Sequence, residues 1–278
     1  MAGNLPGWSR YRAKRAWIDG GYVEAELDLE AAYLPETLPN LPTALAKVVD
    51  ERTAVGFVTT YGTLGWWQHP RTWKGSRLET DTTVTVATAD RVSWVLDQAG
   101  AVRFALDLVE AIKHGHSDAH IQRVLGPKRL DQPEVQFYHY FAPMPGQQGW
   151  TMGTGTLLAV PLPDSADWRA HAGAVVAGLV NSNTTSVRLT LSYSDGFRLH
   201  ETTDALIEQV WRHVGAAAVG GPIRRCDECQ TPFVVTDQRQ RFCPPAPWEK
   251  KSRCAERHRK RDTRTRHRTE YQKPKEDK

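Results

Sequence analysis

All four cysteines of this 278-residue chain fall inside one 29-residue window near its C-terminal end. They are Cys226, Cys229, Cys243 and Cys254, spaced C-x2-C-x13-C-x10-C, and the 225 residues before them hold none. Two residues between Cys226 and Cys229 let both sulfurs face one metal across a tight turn, and thiolates are the preferred structural ligands of zinc. The spacing predicts a small unit organised by structural Zn2+, with a closed four-thiolate site and no open position for chemistry. His258 lies four residues after Cys254, one helical turn on, and stands as the alternative closing ligand. Phe233 and Phe242 supply an apolar floor for a unit this small. The metal would supply most of its folding free energy, roughly 10 kcal/mol or more. Clustered cysteines kept free for a metal fit a reducing compartment, so the expected location is cytoplasmic.

Charge follows the same division. Residues 224–278 hold 17 Lys+Arg against 9 Asp+Glu, which leaves 19 against 23 for the rest of the chain. A basic excess confined to one end points to a polyanion partner for that end. If Cys254 opens a helix, Arg257, Arg261, Arg264 and Arg268 recur at four, three and four and form one stripe, with Arg253, Arg259, Lys260 and Arg266 beside it. Such a helix suits a major groove or a phosphate backbone. No aromatic residue precedes Tyr271 in this stretch, which disfavours single-strand base stacking. Duplex DNA is the expected partner, and RNA stays open.

Three segments carry a family resemblance. They are Arg225-Cys-Asp-Glu-Cys-Gln-Thr-Pro-Phe233, Arg241-Phe-Cys243, and Ser252-Arg-Cys-Ala-Glu-Arg257 with the basic run behind it. Together they resemble the CGNR-type zinc finger that closes bacterial proteins with an N-terminal ABATE domain, a family described as stress-induced transcription regulators. Cys254 and Arg257 match the family's Cys-Gly-Asn-Arg, whereas Ala255 and Glu256 depart from it. The Cys243–Cys254 spacing is also longer, with Pro244-Pro245-Ala246-Pro247-Trp248 inserted. The resemblance covers Arg225 to Arg268 and implies DNA binding and transcription regulation in a bacterial cytoplasm.

The preceding 220 residues read as a mixed body. Ala16–Ile18 and Tyr22–Leu27 flank Asp19-Gly20-Gly21, a hairpin turn signal. A proline-rich connector (Leu34–Pro42) and a helix over Ala44–Thr60 follow, then a loop over 61–80. Val95, Ala99, Val102, Leu106 and Val109 alternate spacings of four and three, which predicts an amphipathic helix from near Asp90, capped by Thr88 or Asp90 and ended by Gly115. A short helix is expected over Asp118–Leu125, a loop over Pro143–Gly155, a strand over Thr156–Leu162 and a helix over Ala166–Val180. Val187 to Tyr193 and Phe197 to Leu199 alternate around Asp195-Gly196 as a second hairpin. A helix over Thr203–Val214 then leads into Gly215–Gly221, read as a linker. The expected fold class is α+β, with the body at 1–220 and a treble-clef-like zinc-knuckle finger with its basic helix at 221–278.

Catalytic signals are sparse. No Walker A loop, G-x-S-x-G, H-E-x-x-H or G-x-G-x-x-G occurs, and Gly153-Thr154-Gly155 lacks the rest of a phosphate loop. His114, His116 and His120 with Asp118 suit a metal, but histidines also suit a helix C-terminus through its dipole, and that is the preferred reading. Asp195 and Asp204 read as turn and helix-start residues. Trp66, Trp67 and Trp73 among His69, Arg71 and Lys74 could line a ligand pocket or stack on bases; covering the core is the preferred reading. No apolar run nears the roughly 20 residues that span a bilayer, and Met1 to Arg15 carries no secretory pattern. The sequence thus points to a non-enzymatic DNA-binding regulator whose body takes a small-molecule effector or mediates assembly. An enzyme acting on nucleic acid or nucleotides with the finger as a tether, and a finger that binds a protein or RNA, are the alternatives.

Overall fold

The computed structural model describes residues 11–65, 71–72, 86–125, 136–141, 151–156, 167–184, 188–193, 197–203, 205–246 and 248–271. The first hairpin is as expected: β1 (Tyr11–Asp19) and β2 (Tyr22–Ala32) are antiparallel. Gly20 and Gly21 both take positive φ, 52° and 82°, as a two-residue turn matched to strand twist requires. β2 buries Val23, Ala25 and Leu27 on one face. It also pairs with β4 (Val86–Arg91), which pairs with β3 (Arg71–Thr72), so the sheet runs β1-β2-β4-β3 and is antiparallel throughout.

The expected helix over Ala44–Thr60 is two helices, α1 (Leu41–Leu45) and α2 (Glu51–Tyr61). Asp50 breaks it: its backbone is extended and its carboxylate accepts from the Thr53 amide, in a reciprocal capping box that starts α2 afresh. Within the proline-rich connector Pro35–Thr37 makes one 3-10 turn.

The long amphipathic helix is α3 (Val92–Lys113), and all five of its periodic residues are buried. Neither Thr88 nor Asp90 caps it. Both sit in β4; the Thr88 hydroxyl meets Thr63, and the Asp90 carboxylate accepts from the amides of Leu64 and Gly65. A buried carboxylate with two amide donors is worth more there than at an exposed helix start. Gly115 ends α3 as expected, and α4 spans Asp118–Leu125.

β5 (Gln136–Phe141) pairs with β6 (Thr151–Thr156), so the second part of the expected Pro143–Gly155 loop is strand, Gly153-Thr154-Gly155 included. The strand expected beyond Thr156, at 157–162, lies outside the described residues. So do Trp66, Trp67, Trp73, Asp195 and Asp204. α5 (Trp168–Ser182) starts at a capping Asp167, and β7 (Arg188–Tyr193) with β8 (Phe197–Thr202) forms the second hairpin.

α6 (Leu206–Val219) buries Leu206, Ile207, Val210, Trp211 and Val214, the face read from the sequence. The expected linker over Gly215–Gly221 is corrected: the helix continues to Val219. A Cβ at Gly215 would stand 3.1 Å from Val180 of α5, so this glycine serves a close helix crossing instead of a flexible joint. The class is α+β, and no helix among the described residues is long and apolar enough to cross a membrane.

Candidate metal centre

After α6 the chain makes a small hairpin, β9 (Ile223–Arg225) against β10 (Pro232–Val234), with Cys226 and Cys229 in the turn between them. The turn closes through Cys226 N–H to Thr231 C=O, 3.1 Å, and Gln230 N–H to Cys226 C=O, 2.9 Å. Gln230 takes φ 58°, a left-handed conformation that side chains other than glycine and asparagine adopt at a cost. Cys243 follows an irregular stretch, and Cys254 is the second residue of α7 (Arg253–Tyr271).

These elements bring the four sulfurs within 4.8 Å of one another. Cys229 Sγ and Cys243 Sγ stand 3.5 Å apart, too far for a disulfide and near the roughly 3.8 Å between neighbouring sulfurs on a tetrahedral metal. Cys226, Cys243 and Cys254 are buried with Phe233 and Val235, and Phe242 packs at the edge. Crowded sulfurs cannot all ionise without a cation between them. Hydrogen bonds from Cys243 and Cys254 hold the Cys229 thiol well below its usual range. The same bond to Cys229, the contact with Cys254, and burial push Cys243 well above it. A divalent ion at the centre removes that conflict.

His258 is not part of the group. Its ring lies against Phe242, centroids 5.0 Å apart, with Nδ1 3.5 Å from Glu228 and Nε2 3.4 Å from Asp262. Cys254 is therefore the fourth member of the cluster. The side chains that answer the sulfur charge come from two directions. Arg257 donates to Cys254 Sγ at 3.3 Å, one helical turn along α7. Lys47, just after α1, reaches Cys254 Sγ at 3.9 Å. Burial would pull the Lys47 ammonium down, but the surrounding sulfurs, Cys243 first and then Cys229 and Cys254, outweigh it and hold the pKa above its ordinary value.

Lys47 belongs to a wider attachment that sequence spacing gave no hint of. Arg225, next to Cys226, donates to Glu110 at 2.9 Å and lies 3.0 Å from Asp107, both on α3, while its other arm donates to Gln230 C=O at 3.2 Å. His114 Nε2 donates to Ile223 C=O at 2.7 Å, and Thr43 donates to Pro232 C=O at 3.0 Å. Ile223 is buried in the body's core. The Pro244–Trp248 stretch has a job as well: Trp248 packs between Tyr33 and Tyr61, centroids 5.5 and 5.7 Å away, with the Arg12 guanidinium 4.4 Å over its ring.

The basic helix divides into engaged and unengaged arginines. Arg253 pairs with Glu249, Arg257 with Cys254 and Arg261 with Glu228 at 2.9 Å. Arg259, Lys260 and Arg264 are exposed, with no acidic partner among the described residues. Arg266 and Arg268 lie on α7, but their side chains fall outside the described set. A cleft of about 1250 Å³ separates α1, α2 and the α3 face from the cysteine hairpin and the start of α7. Lys47, Arg52, Arg103, Arg225, Arg253, Arg257 and Lys260 line it, against Asp107, Glu249 and Glu256.

Comparison of the chain with protein-family profiles, curated proteins and solved structures returns no match.

Proposed function

We propose that the cysteine cluster is a structural zinc site, that Cys226–Tyr271 is a treble-clef-like finger akin to the CGNR type, and that the chain is a DNA-binding regulator. The carrying observation is the set of exposed cations with no acidic partner among the described residues: Arg259, Lys260 and Arg264 on a helix that Cys254 opens. Four thiolates suit zinc by charge, softness and geometry. Phosphates would neutralise the free cations, so binding is chiefly electrostatic and falls steeply with salt.

The test measures zinc content and duplex binding over a salt series. One zinc per chain is expected, with affinity for duplex DNA falling log-linearly with salt. Lys260→Ala/Arg264→Ala should reduce the magnitude of that slope by about two. Arg253→Ala, already paired with Glu249, should change it little. Binding that survives Cys226→Ser unchanged would sink the reading, and a preference for duplex RNA would redirect it. The cleft favours a second reading, an anionic small molecule or nucleotide between body and finger, as effector or as substrate. A nucleotide-induced rise in Tm lost in Arg52→Ala would support it.

A further inference from the structure

We propose that Glu110, His116 and His120 form a second divalent-metal site, built of two imidazoles and one carboxylate and separate from the cysteine cluster. The site arises from the way α3 ends. His116 N–H donates to Ala111 C=O and Gly115 N–H to Ile112 C=O, the paired bonds of a Schellman turn, with Gly115 at φ 66° in its left-handed position. That reversal turns His116 back over the last helical turn, so that its Nε2 lies 3.7 Å from Glu110 Oε1. His120, in the first turn of α4, stacks on His116 with centroids 4.4 Å apart and 26° between the planes. One donor atom from each of the three residues lies within 4.8 Å of the other two. A tetrahedral ion with bonds of about 2.0–2.1 Å wants its donors about 3.3 Å apart, a contraction within the reach of side-chain rotation.

Two observations point to a ligand. His120 Nε2 is buried and has no hydrogen-bond partner among the described residues, a state that is costly unless something binds there. Glu110 is buried, and its two oxygens are divided: Oε2 accepts from Arg225 at 2.9 Å, while Oε1 is the atom turned to His116. A carboxylate anchored by one oxygen and presented by the other is the usual second-layer support of a metal ligand. His114, by contrast, is occupied with Ile223 C=O and stands outside the group, as does Asp118.

The donor set has no sulfur, and three ligands leave coordination positions open. It suits zinc, cobalt or nickel and exchanges its ion more readily than a closed four-thiolate site. Arg225 holds Glu110 and immediately precedes Cys226, so occupancy here bears on the residue that leads into the cysteine cluster.

Cobalt(II) titration of the untagged, reduced full-length protein tests this. Cobalt on thiolates gives intense sulfur-to-metal charge transfer; cobalt on nitrogen and oxygen does not. Two equivalents are expected, only the first raising the thiolate bands. His116→Ala/His120→Ala should lose the second equivalent and keep those bands, which also report that the protein is folded. Glu110→Gln should weaken the second equivalent at least tenfold. A titration that ends at one equivalent with the thiolate bands complete overturns the proposal. So does a double variant that still takes the second with unchanged affinity. Absence of the thiolate bands with the sulfur-free equivalent retained would count against the finger instead.

Discussion

Around α3 and α6 the chain buries Leu106, Leu108, Ile207, Val210 and Trp211; among the described residues, the buried cluster around the cysteines holds just Phe233 and Val235 besides the sulfurs. The first region gains its order from apolar area, at about 25 cal/mol per Å² removed from water. The second has too little such area and leans on contacts with the first, and in the proposed reading a bound ion would supply the rest. If the cluster holds zinc as proposed, the two regions are exposed to different chemical insults in the same molecule: loss of packing in one part, chelation or oxidation in the other.

Removing the metal should produce the largest separation between the two. Chelation, or Cys226→Ser, is expected to remove roughly 10 kcal/mol of stabilisation from the finger while α3 and α6 stay folded. Limited proteolysis should then cut within 224–271 and spare the body; cleavage in α3 at the same rate would break the distinction. Next comes Trp211→Ala, which leaves a large void beside Gln98, whose side-chain carbonyl accepts from the indole at 3.0 Å. A loss of about 3–5 kcal/mol in the body is expected, with one zinc per chain retained. Parallel loss of zinc would show that the finger has no stability apart from its platform. Lys47→Met probes the contact between the regions. It removes a cation from beside the sulfurs and should lower zinc affinity about tenfold in competition with a chromophoric chelator, leaving the melting of the body unchanged. Smallest is Gln230→Gly. Relieving the left-handed strain at φ 58° should tighten zinc binding by less than about 1 kcal/mol, and a weakening would show that the side chain's contact with Asp227 C=O outweighs the strain.

How far the sequence could be read depended on whether a residue's role was local. The periodic faces of α3 and α6, the Asp19–Tyr22 turn and the cysteine knuckle are set within a few residues of themselves, and all were legible. β4 was not, because Thr88 and Asp90 look like helix caps until Thr63, Leu64 and Gly65 are brought alongside. β6 reads Thr-Met-Gly-Thr-Gly-Thr, with Met152 its one apolar residue and so no apolar alternation, and it exists through its ladder with β5. At the site, spacing could not decide between Cys254 and His258, since both lie one turn apart on the same helix; the structure puts the His258 ring against Phe242, beside Glu228 and Asp262 and apart from the sulfurs. Lys47, Glu110 and Arg225 were invisible as partners, being joined across 115 residues and more. The evenly basic stripe read from Arg257 to Arg268 is in fact interrupted, because Arg257 and Arg261 answer charges of the finger itself.

The attachment of the cysteine hairpin to the body also sets an order of events during synthesis. Thr43, Lys47, Asp107, Glu110 and His114, on which the hairpin leans, are all made before Cys226. The ribosome therefore delivers the knuckle onto a surface that can already be in place. Cys254 is the last sulfur to emerge, and it opens the arginine helix. Closure of the cluster and presentation of that helix are consequently one step, so an unfinished chain exposes neither a complete thiolate cage nor a fixed row of positive charge.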